Sequence, residues 1–118
     1  MRDDALVAAW ITYQKNWWAY QALEKLIHER PMEALHTIEN IAHRASDDLD
    51  LLGMLAAGPL EDLLVTHGES VIDKLEAIAR SDLAMRRCLT GVWKSEMSDE
   101  LHARVQRAAE PNFKFPSP

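Results

Sequence analysis

The chain contains few of the residues that cross-link small proteins or form the turns of small β proteins. It has one cysteine, four glycines and five prolines in 118 residues. A single cysteine, Cys88, excludes an internal disulfide framework and a cysteine-rich zinc site. So few glycines and prolines leave too few turns for many short strands. Because no run of about 18 apolar residues occurs, we expect no membrane span.

Signatures of several well-known chemistries are missing as well. There is no Gly-x-Gly-x-x-Gly, no phosphate-cradling lysine loop and no Gly-x-Ser-x-Gly elbow, so nucleotide-binding and hydrolase classes find no support. Glu33 and His36 form one Glu-x-x-His, but a di-iron bundle needs two copies and two further glutamates. We therefore expect no metal, no cofactor and no catalytic residue. The N-terminus lacks the apolar core of a signal peptide, which favours a cytoplasmic protein.

Alanine and leucine are abundant, and their excess indicates an all-α fold. There are 16 alanines and 15 leucines, against five valines and six isoleucines. That balance favours helices over a β-sandwich or barrel. Apolar residues also recur at helical spacing, as in Leu6, Trp10 and Tyr13 near the start of the chain. We expect six or seven helices.

Proline, glycine and capping residues predict where these helices begin and end. Pro31 suits the first turn of a helix, whereas Gly58-Pro59 and Gly68 are expected to end helices. The segment over 3–29 is one helix, or two helices with a break near Asn16. Side chains that can cap later helices are Ser46 or Asp47, Ser81 or Asp82, and Ser98.

The domain organisation follows from these boundaries. Residues 1–110 are expected to form a single all-helical domain. The remaining residues, 111–118, include three of the five prolines. We expect this tail to be extended or disordered, because proline cannot continue a helix and chain ends are poorly ordered unless they dock.

A weak internal repeat appears when the sequence is shifted by 37 residues. Six of twenty positions are identical between Leu23–Ala42 and Leu60–Ala79, and each copy has a turn residue, Pro31 or Gly68, at its junction. Two amphipathic helices per period are typical of HEAT-like stacked helical hairpins. The alternative is an irregular helical bundle, since amphipathicity alone produces part of the match.

The net charge of −6 is concentrated in the middle of the chain. Residues 47–76 contain eight acidic residues and one lysine, a net charge of −7. Such a surface repels phosphate backbones, so direct binding of nucleic acid is not expected. It would speed association with a basic protein. The other interpretation is a solvated face that is kept acidic for solubility.

Two groups of residues are candidates for contact with such a partner. Glu69, Asp73 and Glu76 are spaced to form an acidic stripe on one helix face. A basic partner would bind this stripe, or nearby bases of the chain itself, such as Lys74 and Arg80, neutralise it. The adjacent pair Trp17-Trp18 points about 100° apart on a helix, so one indole is free to anchor a partner unless both fill the core. The candidate partner-binding residues are Glu61, Asp62, Glu69, Asp73, Glu76, Trp17 and Trp18.

An enzymatic alternative rests on His67 with Glu61, or on Cys88. Arg86 and Arg87 directly precede Cys88, and neighbouring positive charges can lower a thiol pKa. Cys88 also follows the apolar pattern of its segment, which indicates a buried structural thiol. His67 precedes Gly68, where a histidine stabilises a helix C-terminus. Neither arrangement identifies a catalytic centre.

Three stretches of sequence carry a resemblance to a known family. They are Gly-Pro-Leu-Glu-Asp-Leu-Leu at 58–64 with the following His67-Gly68, Arg-Cys-Leu-Thr-Gly-Val-Trp at 87–93, and Trp10 near the start. Together they resemble a family of small bacterial helical proteins of unknown function, over about residues 7–105. In that family a Gly-Pro-Leu-Glu-x-Leu-Leu motif and a C-terminal Val-Trp segment recur. The resemblance implies an all-α fold and a bacterial origin, and no catalytic residue.

The function expected from these observations is protein binding. Many small acidic bacterial proteins of this size are immunity proteins or inhibitors, so we expect an acidic face that docks on a basic partner such as a toxin or nuclease. That step is an association by class. A second hypothesis is a self-associating structural module, a homodimer with the Trp-rich first helix as its seam. The small enzyme described above is a third.

Overall fold

The computed structural model describes residues 2–12 and 17–116, and over these residues the chain is helical without strands. The predicted all-α class is therefore confirmed. Seven α-helices and one π turn occur in the described ranges: α1 (Arg2–Ile11), α2 (Trp17–Glu29), α3 (Pro31–Arg44), α4 (Leu49–Leu55), the π turn (Ala56–Leu60), α5 (Glu61–Ser81), α6 (Leu83–Leu89) and α7 (Asp99–Ala108). The first segment thus contains two helices, and the predicted break near Asn16 lies outside the described residues.

Helix starts that depend on local chemistry are where the sequence predicts them. Pro31 is the first residue of α3. Backbone N–H groups in the first turn of a helix have no acceptor within the helix, so the proline loses no hydrogen bond there. Asp82 caps α6 by accepting from the backbone N–H of Met85 at 3.1 Å. Ser98 caps α7 by accepting from the N–H of Leu101 at 3.1 Å. Each cap satisfies a backbone donor that the helix leaves without an internal partner.

The cap of α4 differs from the prediction. Ser46 and Asp47 were the expected candidates, but Asp48 accepts from the N–H of Leu51 at 3.2 Å. Asp48 has extended backbone angles, φ −115° and ψ 94°, and that conformation directs a side-chain oxygen back to the first turn. The prediction was early by one residue because residues 45–47 still form a turn after α3.

The predicted helix end at Gly58-Pro59 was wrong, because the helix continues through this pair as a π turn. Proline lacks an N–H and its ring crowds the carbonyl four residues back, so a regular α-helix is strained there. A π turn widens the backbone ring and relieves that crowding. The N–H of Glu61 accordingly bonds to the carbonyl of Ala56, five residues earlier. The helical backbone is thus continuous from α4 through the π turn into α5.

The predicted helix end at Gly68 was also wrong. Helix α5 bends at His67, whose φ of −137° and ψ of 25° are not helical, and then continues to Ser81. Gly68 is buried within the bent helix. A Cβ built on it would lie 2.2 Å from Cδ2 of Leu101. Glycine is therefore needed here for the close approach of α7, and not for a turn.

Helices α3 and α5 form the centre of the fold. Helix α3 contacts α1, α2, α5 and α6, and helix α5 contacts α2, α3, α6 and α7. In a stacked array each repeat contacts only its sequence neighbours, so this packing is that of the bundle alternative. The buried apolar side chains of the two central helices are Leu35, Ile38, Ile41, Ala42, Val71, Ile72, Leu75 and Ile78.

The two copies of the sequence repeat have different structures. In the first copy, the chain leaves α2, passes Arg30 and begins α3 as a separate helix. In the second copy, the equivalent junction at Gly68 lies inside α5. The shared residues therefore record a common amphipathic pattern. They do not form two copies of one structural unit.

The described part of the C-terminal tail packs on the domain through an aromatic side chain. The ring of Phe115 is half-buried and lies against Gly53 and Gly91. Phe113 meets Phe115 edge to face, with ring centroids 5.2 Å apart, and the guanidinium of Arg87 lies 5.2 Å from the Phe113 centroid. The predicted division of the chain at residue 110 stays a prediction.

None of the helices in the described ranges has the combined length and apolarity that crossing a membrane requires.

Candidate functional site

The acidic stripe on α5 is partly neutralised within the chain. Nη2 of Arg104, on α7, lies 2.6 Å from Oδ1 of Asp73 and 2.6 Å from Oε1 of Glu76. Its Nε also donates to Oε2 of Glu76 at 3.0 Å. Two nitrogens of one guanidinium thus hold the Glu76 carboxylate, which is the strong geometry for this pair. The sequence suggested Lys74 or Arg80 for this role, and the partner is instead a residue from another helix.

This pairing changes what Asp73 and Glu76 are able to offer a partner. The hydrogen bond from Arg104 lowers the pKa of Glu76, so the carboxylate stays ionised. The same contacts raise the pKa of Arg104. A basic partner would have to compete with Arg104 for both carboxylates. Glu69, one turn before Asp73, is exposed on the same helix.

Glu61, in the first turn of α5, fixes a distant loop. Its Oε1 accepts the backbone N–H of Trp93 at 3.0 Å. Trp93 lies in the connection between α6 and α7, 32 residues later in the chain. An acidic side chain at this position is favourable for the helix dipole. The structure adds a second role, in which the carboxylate positions the loop.

Asp62 lies in an unfavourable electrostatic environment. Partial burial raises its pKa most, and the negative charges of Glu61 and Glu24 raise it further, while His28 opposes them. Glu24 and His28 belong to α2, so the carboxylates of two helices meet at this edge of the bundle. We call Glu24, Glu61 and Asp62 the acidic cluster. Glu24 was not among the predicted site residues, because its neighbours come from another helix.

Both tryptophans at the start of α2 are exposed. The exposed fraction is 69% for Trp17 and 50% for Trp18. Trp17 stacks on Tyr20, with ring centroids 5.7 Å apart, and Tyr20 in turn lies against the fully buried Trp10. The expectation that one indole is free to anchor a partner therefore applies to both side chains. The alternative, in which both fill the core, was wrong.

Trp93 is the most exposed large hydrophobic residue among those described, at 76%. Sequence reasoning quoted it only as part of the family resemblance and missed it as a candidate for binding. A signal was present, because the residues that follow it, Lys94, Ser95 and Glu96, are polar and break the apolar pattern that would bury a tryptophan. Its buried neighbour Val92 and the bond to Glu61 hold its backbone.

The residues of the enzymatic alternative are used structurally. Cys88 is completely buried and its thiol donates to the carbonyl of Leu52 at 3.7 Å. Burial raises the pKa of this thiol, which disfavours the reactive thiolate. Nε2 of His67 makes a hydrogen bond of 3.2 Å to the carbonyl of His28. The Glu61 carboxylate bonds to Trp93 instead of reaching the His67 ring.

A shallow cleft of about 560 Å³ lies where the C-terminal ends of α3 and α5 meet the start of α6. Its charged lining combines Glu39, Asp47, Asp82 and Arg87. Asp82 already caps α6, and Arg87 packs over Phe113. Glu39 lies 3.9 Å from the ring of His36, so three of the four charged groups already have partners within the chain. This cleft is at the opposite end of α5 from the acidic cluster.

Metal binding has no support from the described ranges, 2–12 and 17–116. No three histidine, cysteine, aspartate or glutamate side chains there come together in a group that could hold a metal ion.

Comparison with known proteins identifies one family. A family model described as a family of unknown function (DUF6869) matches residues 8–112, which include the last turn of α1 and all later helices. No curated protein and no solved structure matches the chain. The expectation of a family without assigned activity is therefore confirmed over nearly the whole chain, and the recurring motifs and the bacterial origin stay predictions.

Proposed function

Since the chain belongs to this family of unknown function, we propose from its own surface that it is a protein-binding module and not an enzyme. In finer terms, it is a bacterial immunity-type or inhibitor protein that docks on a basic surface of a toxin or nuclease. A cytoplasmic location is part of the proposal. The free thiol of Cys88 supports it, because reducing compartments keep cysteines unpaired.

The observation that carries the proposal is the exposure of Trp17 and Trp18. Tryptophan side chains bury large areas and are enriched among the residues that dominate binding energy. Trp17 is also held in place by its stacking on Tyr20. An aromatic side chain that is ordered before binding loses little conformational entropy in the complex. Trp17, ordered by its stacking, and the neighbouring exposed Trp18 together support an anchor for a partner.

The charge of the chain defines the partner. Residues 47–76 have a net charge of −7, and Arg104 offsets one of these charges at Asp73 and Glu76. The remaining excess attracts a basic protein and speeds the encounter at low salt. Glu61, Asp62 and Glu69 are the proposed contributors that Arg104 does not neutralise. An interface of about 1,600 Å² in total would suffice for a stable complex.

Affinity capture with matched variants tests the proposal. The tagged wild-type protein is used to retain partners from a lysate of its source organism at low salt, beside Trp17→Ala/Trp18→Ala and a control, Leu83→Ala. Leu83 is also an exposed apolar residue, 40% accessible, but it lies on α6 at the cleft. Substitution of exposed side chains leaves stability nearly unchanged, so any difference in capture reports on binding.

The outcomes separate the candidate functions. A basic protein retained in 1:1 ratio by wild type and Leu83→Ala, and lost with the tryptophan variant or at high salt, supports an inhibitor. A retained protein that binds wild type and both variants equally would contradict the tryptophan anchor. If wild type recovers only itself and sediments as a concentration-dependent dimer that Trp17→Ala disrupts, the self-associating module replaces the inhibitor.

A further inference from the structure

Trp93 has the properties of a second anchor on the same surface. Its side chain is 76% exposed, yet its backbone N–H is held by the Glu61 carboxylate at 3.0 Å. An exposed indole on a fixed backbone loses little conformational entropy when it contacts a partner. The loop around it therefore presents an aromatic face at the N-terminal end of α5.

The acidic cluster begins at the residue that holds Trp93. Glu61 adjoins Asp62, and the charge of Glu24 on α2 acts on Asp62. In the described ranges 2–12 and 17–116, no lysine or arginine forms an ion pair with these three residues. Asp73 and Glu76 differ from them, because Arg104 already binds both. The carboxylates of the cluster, like that of Glu69, thus form no ion pair with a lysine or arginine among the described residues and are available to the arginines of a partner.

Trp17 lies beyond the other side of the cluster. It precedes Glu24 by seven residues on α2, which is two helical turns and about 10 Å on the same helix face. The surface consequently follows the order Trp17, Glu24, Asp62, Glu61, Trp93. Indole rings lie at both ends and carboxylates lie between them.

We infer that this surface, from Trp17 across the acidic cluster to Trp93, binds an extended arginine-bearing segment of the partner. The inference rests on the proposed function and names the part of the partner that is recognised. Guanidinium groups pair with carboxylates through two nitrogens and also stack on indole rings. Lysine offers neither the planar stacking nor the paired donors. An arginine-bearing segment therefore matches both kinds of group on this surface.

Indole N–H signals in an amide correlation NMR spectrum test the inference directly. The protein has four tryptophans, so the spectrum has four such signals, and that of the buried Trp10 is an internal reference. The probe is a blocked peptide of four Arg-Gly repeats, compared with four Lys-Gly repeats. We expect saturable 1:1 shifts of Trp17 and Trp93, an unmoved Trp10, and binding at least fivefold weaker for the lysine peptide.

Charge-neutralising variants locate the binding site. Glu24→Gln/Asp62→Asn should weaken the arginine peptide at least tenfold. Asp47→Asn/Asp50→Asn, which removes two exposed charges elsewhere, should change affinity less than twofold. Equal weakening by both variants would mean general charge attraction and would overturn the inference. Trp17 and Trp93 signals that do not shift on addition of the arginine peptide would also overturn the inference. So would shifts of these signals that depend on protein concentration in the absence of peptide, because they would indicate that the surface binds a second copy of the protein.

Failure of this inference and failure of the proposed function are distinguishable. Trp93→Ala is added to the capture experiment for that purpose. If Trp93→Ala retains the partner as well as wild type while Trp17→Ala/Trp18→Ala does not, the module is confirmed and the site for the arginine segment is wrong. Loss of the partner with Trp93→Ala, in a protein that keeps its wild-type melting temperature, supports the inference.

Discussion

Replacing Gly68 with alanine should destabilise the protein, against the usual expectation for a helix. In most helix interiors, alanine is more favourable than glycine by about 1 kcal/mol. Gly68 has no positive φ that would oppose alanine. The obstacle is Leu101 on α7, whose Cδ2 lies 2.2 Å from the position of the new methyl group and whose Cγ lies 3.3 Å from it. The new methyl group therefore forces Leu101 to move.

The size of the effect follows from these two opposing contributions. Leu101 is buried, and an extra methyl group in a packed core costs about 1–3 kcal/mol. The middle of that range exceeds the helix-propensity gain of about 1 kcal/mol. We expect Gly68→Ala to lower the free energy of unfolding by about 1 kcal/mol, and the melting temperature by about 3–6 °C.

Three further variants make this prediction specific. Gly53→Ala, within α4, is the matched control, because a Cβ there would meet the Phe115 ring at an ordinary contact distance of 3.6 Å, and it should be neutral or stabilising by up to about 1 kcal/mol. In a Leu101→Ala background, which removes the clash, Gly68→Ala should cease to be destabilising. Urea unfolding of wild type and the four variants measures these values. A Gly68→Ala protein as stable as Gly53→Ala would refute the close approach of α7 to α5.

Three other predictions concern Asp62, the tail and the thiol. Because the folded-state pKa of Asp62 is raised, ionisation of this carboxyl destabilises the fold as the pH rises above 3.8. Asp62→Asn should therefore melt at a higher temperature than wild type at pH 7, and at the same temperature at pH 3. A lower melting temperature of Asp62→Asn at pH 7 would contradict this environment. Phe115→Ala should lower the free energy of unfolding by about 1–2 kcal/mol, because the ring is only half-buried. Lys114→Ala, which changes an exposed side chain of the same tail, should leave it unchanged. Equal urea midpoints for the two variants would mean that the tail does not pack. Cys88 should react with a disulfide thiol probe no faster than the protein unfolds, and rapid labelling of the native protein would reopen the nucleophile hypothesis.

Local chemistry accounts for the features that the sequence predicted well. The helix starts at Pro31, Asp82 and Ser98 depend on groups within three or four residues of each other in the chain, so one sequence is enough to find them. The inward faces of α3 and α5 follow from apolar spacing alone. The all-α class and the apolar core are therefore readable without the structure.

Contacts between distant residues explain what could not be predicted. Gly68 has the sequence signature of a helix end, and only the position of Leu101 shows why the helix continues. The pairing of Arg104 with Asp73 and Glu76 joins residues about 30 positions apart. Glu61 and Trp93 are equally distant. A single sequence shows the charges and the aromatic residues, but it does not show which of them are already paired.

The salt dependence of association tests the central claim most directly. The partner retained by wild type is purified, and its association rate constant is measured by stopped-flow tryptophan fluorescence at about 20 mM and about 500 mM salt, where the screening length falls severalfold. We predict at least a tenfold slower association at the higher salt for wild type, and a smaller change for Glu24→Gln/Asp62→Asn. A rate constant that is the same at both salt concentrations would contradict a binding surface directed at a basic protein.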